Sequence, residues 1–138
     1  MTVTSTAARF LVSAILLGML SAGGCNSVAG IQSSKQAAEK FVGHLQAGEL
    51  DDAYELCSGK CKAATSKEQV SDLWALFEKH HGKAKSWTNS GVKAFAGTGG
   101  SSVTLTYQIE CETKSGSATF TLVPEGEEWL IQGFSFGL

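Results

Sequence analysis

The chain has 138 residues, 43% of them hydrophobic, and its 11 basic and 13 acidic residues leave a formal net charge of −2. Arg9 is its only arginine, so the chain has no arginine cluster and no basic stripe of the kind that binds nucleic-acid phosphates. The charge balance also gives no attraction to anionic lipid, and the length suits one domain with a substantial core.

The N-terminal segment combines a short apolar run with small residues and a cysteine. The run FLVSAILLGML covers residues 10–20; a membrane-spanning helix needs about 20 apolar residues, and a run of this length is typical of a signal peptide. The following SAGGC resembles the lipobox of bacterial lipoproteins, with Ala22 where leucine is usual. The resemblance implies a signal peptide over residues 1–24 and acylation of Cys25, which would anchor the protein to a membrane without crossing it. The alternative is an ordinary secretory signal with Cys25 as a spare thiol.

A lipidated tether and two helices are predicted next. Residues 25–33 are small and polar with no sustained period, which predicts the tether. The first helix follows, with Ser34 as its N-cap, Gly48 at its end and an apolar face at helical spacing formed by Ala38, Phe41, Val42 and Leu45. A second helix of two turns has Leu50, Ala53, Tyr54 and Cys57 on one face, and the sequence GKCKAAT after it predicts a break.

The third helix has the clearest local signal in the chain. Ser66 and Gln69 have the spacing of a capping box, in which each side chain satisfies a backbone donor of the other residue. Gly82 is expected to end the helix after KHH. Its apolar stripe consists of Val70, Leu73, Trp74 and Phe77.

Four antiparallel strands are predicted after residue 84, where the hydrophobic period becomes two. The sequence SWTNSGVKAFAG is a first strand interrupted at residues 89–91, and VTLTYQIEC, SATFTLV and WLIQGFSFGL are the others. The inward positions are predicted to be Val103, Leu105, Tyr107, Ile109, Cys111, Ala118, Phe120 and Leu122. The last strand is apolar on both faces. Its inward face is therefore either the one with Trp129 and Ile131 or the one with Leu130, Gln132 and Phe134.

Helices followed by strands predict an α+β domain over residues 34–138, with three N-terminal helices packed on one face of a four-stranded antiparallel sheet. The hinge AGELDDAY, the helix start SKEQ and a last strand opening with Trp129 resemble the cystatin-like, NTF2-like domains of small bacterial lipoproteins. That resemblance spans about residues 35–138 and implies a curved sheet around a pocket. Members of that superfamily include isomerases and dehydratases as well as domains that only bind, so the resemblance implies a fold more than a function.

Few residues are placed for catalysis. None of the predicted inward strand positions is Asp, Glu or His, and an acid–base pair needs two such groups close together. His80 and His81 are adjacent on a helix and point about 100° apart, which suits capping and packing better than chelation, and His44 could join them only through the tertiary fold. We therefore predict no catalytic residues, no metal and no cofactor. Candidates for lining a pocket are Tyr54, Trp74, Tyr107 and Trp129.

Three cysteines remain if Cys25 is acylated. Cys57 and Cys61 in CSGKC are separated by three residues, unlike the two of thioredoxin-type motifs. A disulfide between them is the favoured hypothesis, with Cys111 buried as a free thiol; a bridge from either residue to Cys111 is the alternative.

Two classes of function follow from these observations. The favoured one is a membrane-anchored, non-catalytic domain of the bacterial cell envelope, facing the periplasm or the exterior, that binds a small apolar ligand, a peptide or an envelope protein. The alternative is an NTF2-like enzyme of the isomerase or dehydratase type with an unrecognised acid–base pair.

Overall fold

The computed structural model describes residues 26–138 as helices packed on one antiparallel sheet; the predicted signal peptide and Cys25 lie outside the described residues. The elements, in chain order, are α1 (Asn26–Ala47), α2 (Leu50–Glu55), α3 (Gly59–Ala64), α4 (Lys67–His81), β1 (Ala84–Gly97), β2 (Gly100–Cys111), β3 (Gly116–Glu125) and β4 (Glu128–Gly137). The α+β class with a four-stranded antiparallel sheet is therefore confirmed.

Helix α1 is longer than the sequence pattern predicts. It begins at Asn26, so residues 26–33 of the expected tether are helical, and Ser34 lies inside the helix instead of capping it. The Ser34 side chain is buried and its hydroxyl donates to the carbonyl of Ile31 at 2.8 Å, which removes the penalty for burying a polar side chain in a helix. The predicted C-terminus is confirmed: Gly48 has a φ of 77°, and the N–H of Glu49 donates to the His44 carbonyl at 2.8 Å.

Among residues 26–138 there are four helices, one more than predicted. The sequence GKCKAAT forms the short helix α3, because the Ser58 hydroxyl accepts the N–H of Cys61 at 3.2 Å and so caps the helix start. The predicted capping box of α4 is confirmed. The Ser66 hydroxyl accepts the N–H of Gln69, and the Gln69 side chain accepts the N–H of Ser66 at 2.8 Å.

The sheet is a meander with strand order β1-β2-β3-β4. The predicted interruption of β1 is a β-bulge: Asn89 lies opposite Tyr107 and Gly91 opposite Thr106, which leaves Ser90 unpaired. The Asn89 amide donates to the carbonyls of Gly91 and Thr106, both at 3.1 Å, and so holds the bulge.

A bulge in β4 explains why this strand is apolar on both faces. Thr121 lies opposite Gly133 and Leu122 opposite Ile131, so Gln132 is an extra residue. The bulge reverses the alternation of side chains after it. Ile131 and Phe134 therefore both lie opposite buried β3 residues. The inward-facing set of β4 residues thus switches at the bulge, which is why neither of the two sets considered from the sequence faces inward along the whole strand.

The helices and the sheet share one hydrophobic core. Val70, Trp74 and Phe77 of the predicted α4 stripe are buried, whereas Leu73 is exposed. The predicted inward strand positions are all buried except Cys111, which is half-buried. Gly116 is required at the start of β3, since a Cβ there would lie 2.5 Å from the Phe77 ring. None of the helices within residues 26–138 is long and apolar enough to cross a membrane. The buried core includes Phe41, Leu45, Trp74, Phe77, Leu105, Ile109 and Phe120.

Candidate functional site

A groove lies between the C-terminal end of α1 and the middle of α4 and is named here the α1–α4 groove. Its volume is about 540 Å³. Gly48 and Gly82, with φ of 77° and 85°, end the two helices and let the chain turn into α2 and β1 beside the groove. The groove is lined by Leu45, Gln46, Ala47, Gly48, Leu50, Ser71, Trp74, Ala75, Glu78, Lys83 and Ala84.

The α4 residues that line the groove have a helical spacing that is visible in the sequence. Ser71, Trp74, Ala75 and Glu78 recur at i, i+3, i+4 and i+7, so they share one helix face. Two small side chains beside a tryptophan leave a depression on that face. This pattern was the available signal for the groove, and it shares only Trp74 with the predicted apolar stripe of the helix.

The floor and the rim of the groove differ in polarity. Trp74 is 6% exposed and packs on Phe77 and Phe136, with ring centroids 5.5 and 5.4 Å away. The Gln46 side-chain amide donates to the Ala84 carbonyl at 2.6 Å and ties α1 to the start of β1. Glu78 and Lys83 place one charge of each sign in the lining. The groove can therefore hold an apolar group below a polar rim, as small-ligand sites commonly do.

The four residues expected to line a pocket do not share one. Trp74 alone lines the α1–α4 groove. The Tyr54 hydroxyl lies 2.9 Å from the carbonyl oxygen of Thr65 and 3.1 Å from that of Lys62, and it fastens α2 to the end of α3. Trp129 is half-buried in β4, where its ring lies against Gly30 of α1. Tyr54, Tyr107 and Trp129 are therefore not part of the groove lining.

Tyr107 has an unusual environment. Its side chain is 2% exposed, and its hydroxyl has no hydrogen-bond partner within residues 26–138. Burial, together with the nearby carboxylate of Glu39, raises the pKa of Tyr107 well above that of a free tyrosine. The hydroxyl therefore stays protonated at neutral pH. Glu39 itself is exposed on α1.

The histidines are distributed as packing residues and surface residues. His81 is buried, its ring stacks on Phe77 with centroids 4.5 Å apart, and its Nδ1 lies 3.0 Å from the Phe77 carbonyl oxygen. The predicted packing role of His81 is confirmed. His44 is on the surface at the end of α1, and its Nδ1 lies 3.6 Å from a carboxylate oxygen of Glu49.

One surface cluster brings potential metal ligands together. The side-chain ligand atoms of His44, Glu49 and Asp52 all lie within 4.8 Å of one another, and both carboxylates are exposed. The cluster joins the end of α1 to the first turn of α2. This cluster was not predicted from the sequence, because His44 was compared only with the histidines of α4.

Cys57 and Cys61 lie next to each other and are buried, and Cys57 forms a parallel bridge with Ile131 of β4. A hydrogen bond from the Cys57 thiol lowers the pKa of Cys61, and the same interaction, with burial, raises the pKa of Cys57. Both are free thiols in the structure, so the disulfide between them stays a prediction.

The alternative bridge to Cys111 does not fit this fold. Cys57 pairs with Ile131, and Ile131 lies in the sheet row that contains Leu122 and Val103. Cys111 lies eight residues beyond Val103 in the same strand, which is about 26 Å at 3.3 Å per residue. A disulfide needs Cα atoms within about 7 Å.

No protein-family model matches the chain, and no curated protein matches its sequence. The structure alone therefore defines this protein as an α+β domain with a groove between two helices.

Proposed function

We propose that this protein is a lipid-anchored domain of the bacterial cell envelope that binds a ligand in the α1–α4 groove and does not catalyse a reaction. The observation that carries the proposal is the composition of the groove, in which an almost buried tryptophan forms the floor and Gln46, Glu78 and Lys83 contribute the polar lining. Such a site recognises one apolar group together with a few polar ones. The ligand class is a small apolar molecule, a peptide or a segment of an envelope protein.

The absence of catalysis is supported by the surroundings of the ionisable groups. Glu110 and Glu112 of the β2 end are exposed, and the one buried histidine within residues 26–138, His81, contacts a backbone carbonyl. General acid–base catalysis needs a titratable group within about 3 Å of a reacting atom or of a second such group. The groove lining contains no histidine, cysteine or tyrosine, and its ionisable side chains are Glu78 and Lys83.

Anchoring and fold family complete the proposal. The short apolar run and SAGGC favour acylation at Cys25, and the order of helices then strands favours a cystatin-like or NTF2-like domain. Replacing Cys25 by Ser should release the protein from the membrane fraction or block its processing. Retention in the membrane with unchanged processing would contradict the anchor.

Binding in the groove can be tested by filling it. Ala75 is exposed and lines the groove, so Ala75→Leu should reduce the space without disturbing the core. We expect the fluorescent probe anilinonaphthalene sulfonate to bind the wild type, and the Kd to rise at least tenfold in the variant. Ala63→Leu, an exposed site on α3 outside the groove, is the matched control and should leave the Kd unchanged. Equal binding to all three proteins would place the probe elsewhere and remove the support for the groove.

The buried Tyr107 hydroxyl beside Glu39 favours one second candidate, an acid–base enzyme. Catalysis through this pair requires that substrate, and therefore water, reaches the hydroxyl. An ultraviolet absorbance titration distinguishes the two proposals. Tyr107 ionising reversibly in the folded protein would favour the enzyme, whereas ionisation only on unfolding would favour a binding domain.

A further inference from the structure

The molecule has two distinct ends along α1. Near the start of the helix, Gly30 lies against the ring of Trp129, so close that a Cβ on Gly30 would be 3.0 Å from Cζ2. Trp129 pairs with Pro124 beside the β3–β4 turn. The β1–β2 turn lies at the same end, because Gly99 and Glu125 line a common depression. Both hairpin turns therefore lie at the end of the domain where α1 begins.

The α1–α4 groove lies at the opposite end. The hydrogen bond from Gln46 to the Ala84 carbonyl joins the last turn of α1 to the start of β1, beside the groove. Helix α1 has 22 residues, which span about 33 Å at 1.5 Å per residue. The groove is thus separated from the start of α1 by nearly the whole length of the domain.

Cys25 is joined directly to Asn26, the first residue of α1. We infer that the acylated protein stands on its bilayer with the two hairpin turns toward the membrane and the α1–α4 groove held about 30 Å above the surface. The groove then takes a peptide or small molecule from the aqueous compartment and does not take lipid from the membrane that anchors it. This inference rests on the anchoring at Cys25 proposed above.

The charges at the membrane end oppose its insertion into the bilayer. Glu125, Glu127 and Glu128 in and beside the β3–β4 turn are exposed, and anionic head groups attract basic segments and repel acidic ones. The end therefore does not insert into the bilayer. It stays above the surface, and the acyl chains supply the attachment.

Native tryptophans allow a test of this orientation. The lipidated protein is placed in vesicles whose phosphatidylcholine carries a spin label on the head group, a short-range quencher of fluorescence. The double variant Trp74→Phe/Trp87→Phe keeps only Trp129, which lies beside Gly30, about 6 Å along the helix from Asn26. The variant Trp87→Phe/Trp129→Phe keeps only Trp74 in the groove. We expect clear quenching of Trp129 and none of Trp74; equal quenching of both would overturn the inference.

Two control proteins separate the orientation from the anchor. A flexible insert of twelve Gly and Ser residues between Cys25 and Asn26 spans about 19 Å, so it should abolish the difference between the two tryptophans. Cys25→Ser should not bind the vesicles. Mass spectrometry of the N-terminal peptide reports acylation independently: an unacylated Cys25 rejects the proposed anchor, whereas an acylated protein with Trp74 quenched rejects the orientation alone.

A measurement on the unaltered sequence covers the case in which a tryptophan variant fails to fold. Neutron reflectometry of the lipidated wild type on a supported bilayer gives the thickness of the protein layer. A layer at least as thick as the length of α1, about 33 Å, supports the upright orientation. A layer much thinner than the helix overturns it.

Discussion

Trp74 is the residue at which the core and the groove meet, and replacing it by Ala tests both parts of the structure. The indole is 6% exposed, stacks on Phe77 and meets the edge of Phe136. Removing a buried large aromatic side chain usually costs about 3–5 kcal/mol. Since Trp74 borders the groove, water can enter part of the space that it leaves, so we expect the lower part of this range, about 3–4 kcal/mol.

The free energy of unfolding is measured by guanidinium denaturation followed by far-ultraviolet circular dichroism, which does not depend on the tryptophan. With a slope of roughly 3 kcal/mol per molar denaturant, the expected loss lowers the midpoint by about 1 M. A domain of ordinary stability, about 5–15 kcal/mol, remains folded after such a loss.

Leu73→Ala is the matched control, because Leu73 precedes Trp74 in α4 but is 42% exposed. A substitution on the surface usually changes stability by no more than about 0.5 kcal/mol. Equal midpoints for the two variants, or a larger loss for Leu73→Ala, would refute the phase of α4 and with it the position of the groove.

Three other predictions concern the core and the thiols. Gly116→Ala should lower the free energy of unfolding by about 1–3 kcal/mol, because its Cβ would overlap the aromatic ring of α4 described above; an unchanged denaturation midpoint would contradict this contact. Tyr107→Phe should leave stability at neutral pH unchanged or raise it, because it removes a hydroxyl without a partner. The raised pKa of Tyr107 also means that the folded state binds the tyrosine proton more tightly than the unfolded state, so the free energy of unfolding falls as pH rises past the ordinary tyrosine value of 10.0. In denaturation series from pH 9 to 11, Tyr107→Phe should therefore lose less stability than the wild type. Identical pH profiles for the two proteins would contradict the burial of Tyr107. For the thiols, peptide mapping of protein from an oxidising compartment should find Cys57 linked to Cys61 and Cys111 alkylated without reduction, and any disulfide containing Cys111 would contradict the register of the sheet.

Local signals in the sequence predicted the elements that local interactions determine. The capping box of Ser66 and Gln69 fixes the start of α4 within one turn, and the strict alternation in β2 assigns Leu105 and Ile109 to the core without tertiary information. The positive φ of Gly48 likewise follows from the residue type.

The features that sequence did not predict depend on contacts with distant residues. Gln132 becomes a bulge only because β3 pairs with both sides of it, and a single strand contains no sign of this. Ser34 resembles a helix cap until the helix before it is known to continue, and that start of α1 is packed against Trp129, 99 residues after Gly30. The groove required the relative position of α1, α4 and β1, which their separate patterns do not contain.

The bridge between Cys57 and Ile131 has a consequence for how the sheet can meet another chain. Ser58 donates to the Ile131 carbonyl at 2.7 Å, and Ile131 donates to the Leu56 carbonyl at 2.8 Å, so these backbone groups on the outer edge of β4 are already occupied. A strand from a neighbouring molecule cannot pair continuously along that side. Within residues 26–138, the opposite side, β1, is the longer edge, and its bulges interrupt the regular spacing of donors and acceptors that a foreign strand needs. The same short contact that positions the thiols therefore also limits self-assembly of the sheet into fibrils.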